Sequence, residues 1–189
     1  MKEGLLIILS GPSGVGKGTV RQVLMEKADL NLVYSISLTT RPPRIGEING
    51  KDYFFTSKED FMNKLKNDGL LEYAEFVNNY YGTPKDYVIE TIKKGKNILL
   101  EIETKGARQV MEKVKDIRHV SIFLLPPSMD DLEKRIRNRR TESAEIIKER
   151  LDKAQAEIPL SSVYDYSVVN DTPERAANEI ADIIKAHLL

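Results

Sequence analysis

Gly4-Leu5-Leu6-Ile7-Ile8-Leu9-Ser10-Gly11-Pro12-Ser13-Gly14-Val15-Gly16-Lys17-Gly18-Thr19 decides how the rest of the chain reads. Gly4 to Leu9 is a short apolar run, the mark of a strand buried on both faces. Thr19 to Ala28 then reads as a helix with Val20, Val23 and Leu24 on one side. Between them, glycines let the backbone curl with its N–H groups inward, and the helix N-terminus adds positive potential for a polyphosphate. Lys17 stands where a phosphate loop carries the lysine that reaches the β- and γ-phosphates. Gly11, Pro12, Ser13, Gly14, Val15, Gly16, Lys17, Gly18 and Thr19 are therefore candidate residues for a nucleotide donor. The strict pattern places Ser or Thr directly after the lysine to hold Mg²⁺. Gly18 occupies that position here, which leaves Thr19 for phosphate, metal or metal-bound water.

Working outward, two more buried strands are predicted at Asn97–Ile102 and His119–Leu125, and a last one at Tyr166–Val169. Helices are predicted between them. One starts at Pro84 with Thr83 as its cap, one runs from Gly106 to Val114, and one follows Thr172-Pro173-Glu174. Short apolar strands alternating with helices imply an α/β fold in three layers, with a central parallel sheet. Two stretches break the rhythm. Residues 35–83 carry alternating strand patterns, an Asn49-Gly50 turn signal and a short helix from Ser57, and read as an inserted lobe. Residues 128–157 form a charged helical segment in two pieces, jointed near Thr141-Glu142-Ser143. The core then comprises residues 1–34, 84–127 and 158–189 of a single domain.

Composition narrows the chemistry. A chain of 189 residues suffices for one domain with a real core. Cysteine is absent, which excludes thiolate nucleophiles and Cys-ligated zinc. With only His119 and His187 present, multi-histidine metal or acid–base chemistry is not expected. Twenty-nine Lys+Arg balance twenty-nine Asp+Glu, which argues against whole-surface nucleic-acid binding and leaves only a local basic patch. No apolar run reaches the ~18 residues of a membrane helix. The N-terminus lacks a signal-peptide pattern, so a cytoplasmic location without membrane or nucleic-acid partners is expected.

The stretch from Ser37 to Tyr53 is the most informative one outside the glycine loop. Arg41 and Arg44 flank Pro42-Pro43, which stiffens the chain between them. Two guanidiniums on a rigid loop suit capture of a phosphate, and Tyr53 and Tyr81 can add phenolic hydrogen bonds. Thr39-Thr40-Arg41-x-x-Arg44-x-Gly46-Glu47-x-Asn49-Gly50-x-Asp52-Tyr53 resembles the acceptor motif of the guanylate kinase family. The glycine loop resembles that family's Lys-Gly-Thr variant, and further matches run in order through Leu71-Glu72-Tyr73-Ala74, Tyr80–Pro84, Arg135–Glu142 and Val169-Asn170-Asp171.

The resemblance implies a P-loop kinase fold with a GMP-binding lobe at 35–83 and a helical lid at 128–157. It implies Mg²⁺-dependent transfer of the γ-phosphoryl group of ATP to GMP or dGMP, within purine nucleotide metabolism. Arg41, Arg44, Tyr53 and Tyr81 would hold the GMP phosphate, while Ser37, Glu72 and Thr83 would read the guanine. The second implication has independent physical sense. Guanine offers N1–H and N2–H side by side, which one ionised carboxylate accepts as a pair, while O6 requires a hydroxyl donor. Adenine presents the opposite pattern, and a site of buried polar partners rejects such a mismatch strongly.

Glu101, at the end of a predicted strand, lies where ligands gather in open α/β sheets. It and Glu103 resemble positions that hold Mg²⁺, its water shell or the acceptor nucleotide, with the division between them left open. Lys134-Arg135-Ile136-Arg137-Asn138-Arg139-Arg140 reads as a nucleic-acid patch, a solvated helix face or a phosphate clamp. The resemblance favours the clamp, with Arg135, Arg139 and Arg150 as lid arginines stabilising the transferring phosphoryl group beside Lys17 and Arg41. Arg140 departs from the family pattern, where glycine is usual. Two other readings fit the fold class. A partner-binding scaffold module of the same family often loses the lysine and glycines kept here, and a kinase of sugar phosphates has no guanine to read.

Overall fold

The computed structural model describes residues 2–138 and 143–189. Five strands form one parallel sheet: β1 (Leu6–Ser10), β2 (Leu32–Tyr34), β7 (Asn97–Glu101), β8 (His119–Leu125) and β9 (Tyr166–Val169), in the order β2-β7-β1-β8-β9. The period-two alternation of a strand explains the layers. Leu5, Ile7 and Leu9 pack against Val20 and Leu24 of α1 (Lys17–Met25) and Ala177, Ile180 and Ile184 of α7 (Pro173–Leu188). Leu6 and Ile8 face the other way, onto Val88 and Ile92 of α3 (Lys85–Lys93) and Ala107 and Val110 of α4 (Thr104–Lys113). The three-layer reading therefore holds. Because β1 is central and flanked by β7, the loops leaving their carboxyl ends lie side by side.

A second sheet, ordered β4-β3-β6-β5, is built from β3 (Leu38–Thr39), β4 (Phe54–Phe55), β5 (Leu70–Phe76) and β6 (Asn79–Pro84). Its own core is small, with Leu38, Phe61 and Leu70 buried beneath α2 (Lys58–Lys66), which Ser57 caps through the Asp60 N–H. A register shift between Leu70 and Glu72 links the two cores: Leu70 faces this small cluster and Leu71 the main one. Two further helices, α5 (Met129–Asn138) and α6 (Ala144–Glu157), pack through Leu132, Ile136, Ile147 and Ala154.

Most boundaries shift by one to three residues from the sequence reading, and three helix starts have a bearing on the site. α1 begins at Lys17 rather than Thr19, because Gly16 at φ 99° turns the backbone directly into the helix. α4 begins at Thr104 rather than Gly106. Thr83 does not cap α3. It belongs to β6, the cap position falls to Pro84, and its hydroxyl is engaged across the sheet instead. The expected joint at Thr141–Glu142 lies outside the described residues. Among the described residues, no helix is long and apolar enough to cross a membrane.

Candidate active site

The glycine loop leaves β1 and turns under α1. A Cβ on Gly16 would stand 2.6 Å from Asn170 Nδ2, just past β9, and at a φ of 99° the position favours glycine in any case. Lys17 Nζ donates to Gly11 O at 2.7 Å and to Pro12 O at 3.3 Å, which folds the ammonium over the loop. Burial lowers its pKa from the ordinary lysine value, and the carboxylates of Glu103, Glu101 and Glu157 oppose that shift. A cleft of about 280 Å³ opens here, lined by Ser13, Gly14, Gly16, Lys17, Gly18, Glu101, Ile102 and Glu103. Glu101 Oε2 lies 3.1 Å from Arg21 Nε as an ion pair, yet accepts no hydrogen bond although it is buried. Arg21 in turn stacks on Tyr34, 4.6 Å from the ring centroid. Glu103 is exposed and pairs with Lys153 of α6 at 3.3 Å.

An adjoining cleft of about 340 Å³ shares Gly14 and Gly16 and adds Thr19, Arg135, Asn138, Asn170 and Pro173. Thr19 lines this second cleft, and Glu101 the first. Arg135 donates to Val15 O at 3.1 Å and Asn170 O at 2.8 Å, which pins α5 to the glycine loop. Arg150 reaches the same loop from α6, donating to Ser13 Oγ at 2.9 Å. Asn170 donates through Nδ2 to Val15 O at 2.8 Å and leaves a buried Oδ1 with no hydrogen-bond partner. Arg139 lies outside the described residues, as does Arg140.

The second sheet assembles the other candidates. Glu72 and Thr83 are cross-strand neighbours on β5 and β6, and Thr83 Oγ1 donates to Glu72 Oε1 at 2.7 Å. Both side chains are buried. Burial raises the Glu72 pKa above the ordinary carboxylate value, with the Thr83 hydrogen bond opposing it. Oε2 points toward α4, where a Cβ on Gly106 would stand 3.2 Å from it and 2.6 Å from Ile102 Cδ1. Glycine at that helical position makes room for the carboxylate.

Ser37 sits half-buried just before β3, its carbonyl accepting from the Phe54 N–H at 2.8 Å. Arg41 lies against Tyr53 and Phe55, 5.2 and 5.9 Å from their centroids, and Tyr53 meets Tyr81 edge-on at 6.2 Å. Arg44 is exposed on the same loop.

One residue organises that loop, and spacing alone offered no reason to single it out. Glu47 accepts from both terminal nitrogens of Arg41, at 2.9 and 2.8 Å, and from the Arg44 N–H at 2.7 Å. These contacts hold its pKa down at about 2 and raise that of Arg41, with the paired side-chain hydrogen bonds as the main cause. Arg21, Asn170 and Glu157 were likewise not assigned from sequence. Each acts through a partner far away along the chain. The structure thus gathers Lys17, Glu101, Glu103 and Arg150 around one cleft, and Arg41, Tyr53 and Tyr81 around a loop of the second sheet.

A glycine loop between a buried parallel strand and a helix, with cations from a helical pair above it, defines the P-loop kinase fold. Comparison with known proteins sharpens this. The guanylate kinase family model matches residues 3–187, and the chain belongs to that family. It is 52% identical over 185 residues to guanylate kinase of Streptococcus thermophilus, covering 98% of this chain and 88% of that protein. It is 54% identical over 182 residues to guanylate kinase of Mesoplasma florum, covering 96% of this chain and 61% of that relative's length. Among solved structures, it is similar to guanylate kinase from Anaplasma phagocytophilum, with a TM-score of 0.72 at 35% identity, covering 98% of this chain and 87% of the other.

Proposed function

We propose that this protein transfers the γ-phosphoryl group of ATP to the phosphate of GMP or dGMP, giving ADP and the corresponding diphosphate. The observation that carries the reading is the buried Glu72–Thr83 pair. A carboxylate desolvated on a sheet face, with one oxygen fixed and the other aimed at a glycine, suits the N1–H and N2–H edge of guanine. Such a group discriminates because the wrong base leaves it unpaired. Ser37, Arg41, Arg44, Tyr53 and Tyr81 form the rest of the acceptor site, with residues 35–83 as its lobe.

The acceptor oxygen is already anionic, since a phosphomonoester has its second pKa near 6. No general base is required. The oxygen attacks the γ-phosphorus in line, the bond to the β–γ bridging oxygen breaks, and that oxygen leaves on ADP. Lys17 neutralises charge on the β- and γ-phosphates, while Arg135, Arg139 and Arg150 of the lid, residues 128–157, close over the transferring group. Closure also keeps out water that would hydrolyse ATP. Glu101 and Glu103 line the cleft with Lys17, and their carboxylates fit a Mg²⁺ ion or its water shell, because Mg²⁺ characteristically takes one or two carboxylates together with substrate phosphates; Arg21, paired with Glu101 Oε2, would orient the first of them. When bound, the ion would offset charge on the phosphate oxygens. Glu103, exposed in the lining of the same cleft, is available to the ion's water shell or to the acceptor nucleotide.

A coupled ADP-release assay with ATP and Mg²⁺ tests the reading. GMP and dGMP should support turnover at least about a hundredfold better in kcat/KM than AMP or UMP. Equal use of AMP overturns it.

A further inference from the structure

One buried carboxylate among the described residues touches no proposed substrate and bears on the phosphate loop, in the account above, only through its charge near Lys17. Glu157 is the last residue of α6 and is 8% exposed. Its Oε1 accepts a 2.7 Å hydrogen bond from Thr104 Oγ1, itself buried at the first residue of α4. Lys153, one turn earlier on α6, lies 3.9 Å from Glu157 and 3.3 Å from Glu103. Burying a carboxylate is costly unless its neighbours compensate. On its own helix Lys153 supplies a countercharge at the edge of pairing distance, while the helix C-terminus opposes the negative charge. The short hydrogen bond comes from Thr104 of α4. The charge is therefore placed for the contact between α6 and α4, not for α6 alone.

The consequence appears two turns back along the helix. Residues seven apart share a helix face, so Glu157 and Arg150 project to the same side. Arg150 donates to Ser13 Oγ in the glycine loop at 2.9 Å. One face of α6 is thus anchored at its root to the helix that follows the Glu101 strand, and engaged further up with the loop that follows β1. The segment leaves the core after β8 and rejoins it at Glu157, so the anchor sits at the lid's return hinge.

We propose that Glu157 is a positioning residue: its hydrogen bond with Thr104 fixes the root of α6 so that Arg150 is delivered to the phosphate loop. The inference rests on the phosphotransfer reading and adds to it a residue that touches neither substrate. A double-mutant cycle tests it, using kcat and KM for ATP and GMP in the full chain. Glu157→Ala should lower kcat about tenfold with KM for GMP unchanged, the size expected when a charged group is displaced by a fraction of an ångström. In an Arg150→Ala background, the same change should cost less than about twofold, because the two residues act as a unit. Thr104→Val should reproduce the loss and Thr104→Ser should restore activity. The Thr104 pair also serves as the test if Glu157→Ala does not fold.

Losses that multiply across the cycle, or an unchanged kcat in folded Glu157→Ala, overturn the inference while the wild type still makes ADP with GMP. A wild type inactive with GMP overturns the phosphotransfer reading and this inference together.

Discussion

The two sheets build their proposed anion sites by different means. In the parallel sheet every residue of β1 is buried, and the loop that follows is shaped by backbone, with glycines admitting close neighbours and few side chains involved. In the second sheet, β3 and β4 are two residues each and the hydrophobic cluster is small. Side chains hold that site together. Asp52 accepts from the Ile48 N–H, Asn49 from the Phe55 N–H, and Glu47 from Arg41 and Arg44. A backbone cradle binds phosphate wherever it occurs, whereas a side-chain site distinguishes one base from another. The second arrangement is correspondingly more sensitive to single substitutions outside the contact atoms.

The sharpest break between the two regions is expected from Lys17→Met. It should reduce kcat by about a thousandfold or more, as loss of a transition-state cation does, while GMP affinity measured by calorimetry stays near that of the wild type. If GMP binding falls in step, the sites are not separable. Glu72→Gln should act the other way round. It replaces one acceptor oxygen by a donor, and selectivity for GMP over AMP should fall about a hundredfold with ATP affinity unchanged. An unaltered GMP-to-AMP ratio in kcat/KM removes Glu72 from base recognition.

Glu47→Ala leaves every proposed substrate contact in place and frees Arg41. The KM for GMP should rise about tenfold, the scale of a lost charge-assisted hydrogen-bond pair. A lower KM would instead make Glu47 a competitor of the phosphate.

The smallest effect is a pH dependence. Because burial raises the Glu72 pKa, the carboxylate binds its proton at a higher pH than an ordinary glutamate. A group that must be ionised to receive guanine weakens binding as pH falls through its folded pKa. Guanosine, which lacks a titrating phosphate, should therefore bind more weakly on acidification to the wild type but not to Glu72→Gln. Parallel profiles for the two proteins refute the titration. For stability the sign is reversed. A raised folded pKa means the native state holds the proton more tightly, so this group favours folding below its unfolded value and loses that contribution as pH rises through the folded value.

Local pattern was enough for much of this. Leu5 to Leu9 reads as a buried strand because every position is apolar, and Gly11 to Thr19 reads as a phosphate cradle because glycine spacing and the following helix are local properties. Thr172 was legible as a cap for the same reason, and it accepts the expected N–H, from Arg175. Thr83 shows where locality fails. Thr-Pro is a good helix start by propensity, but a buried carboxylate eleven residues upstream competes for the hydroxyl across a sheet and wins. No periodicity signals that contact.

The sequence alone therefore determined the α/β class, the phosphate loop and the family resemblance, since these depend on residues adjacent in the chain. Only the tertiary structure decided that Glu47 clamps Arg41, that Arg21 sits on Glu101, that Gly106 clears space for Glu72, and that Glu157 meets Thr104. Each of those depends on burial and on distance between elements. Side-chain geometry of that kind is created by packing and is not written in the spacing of any single segment.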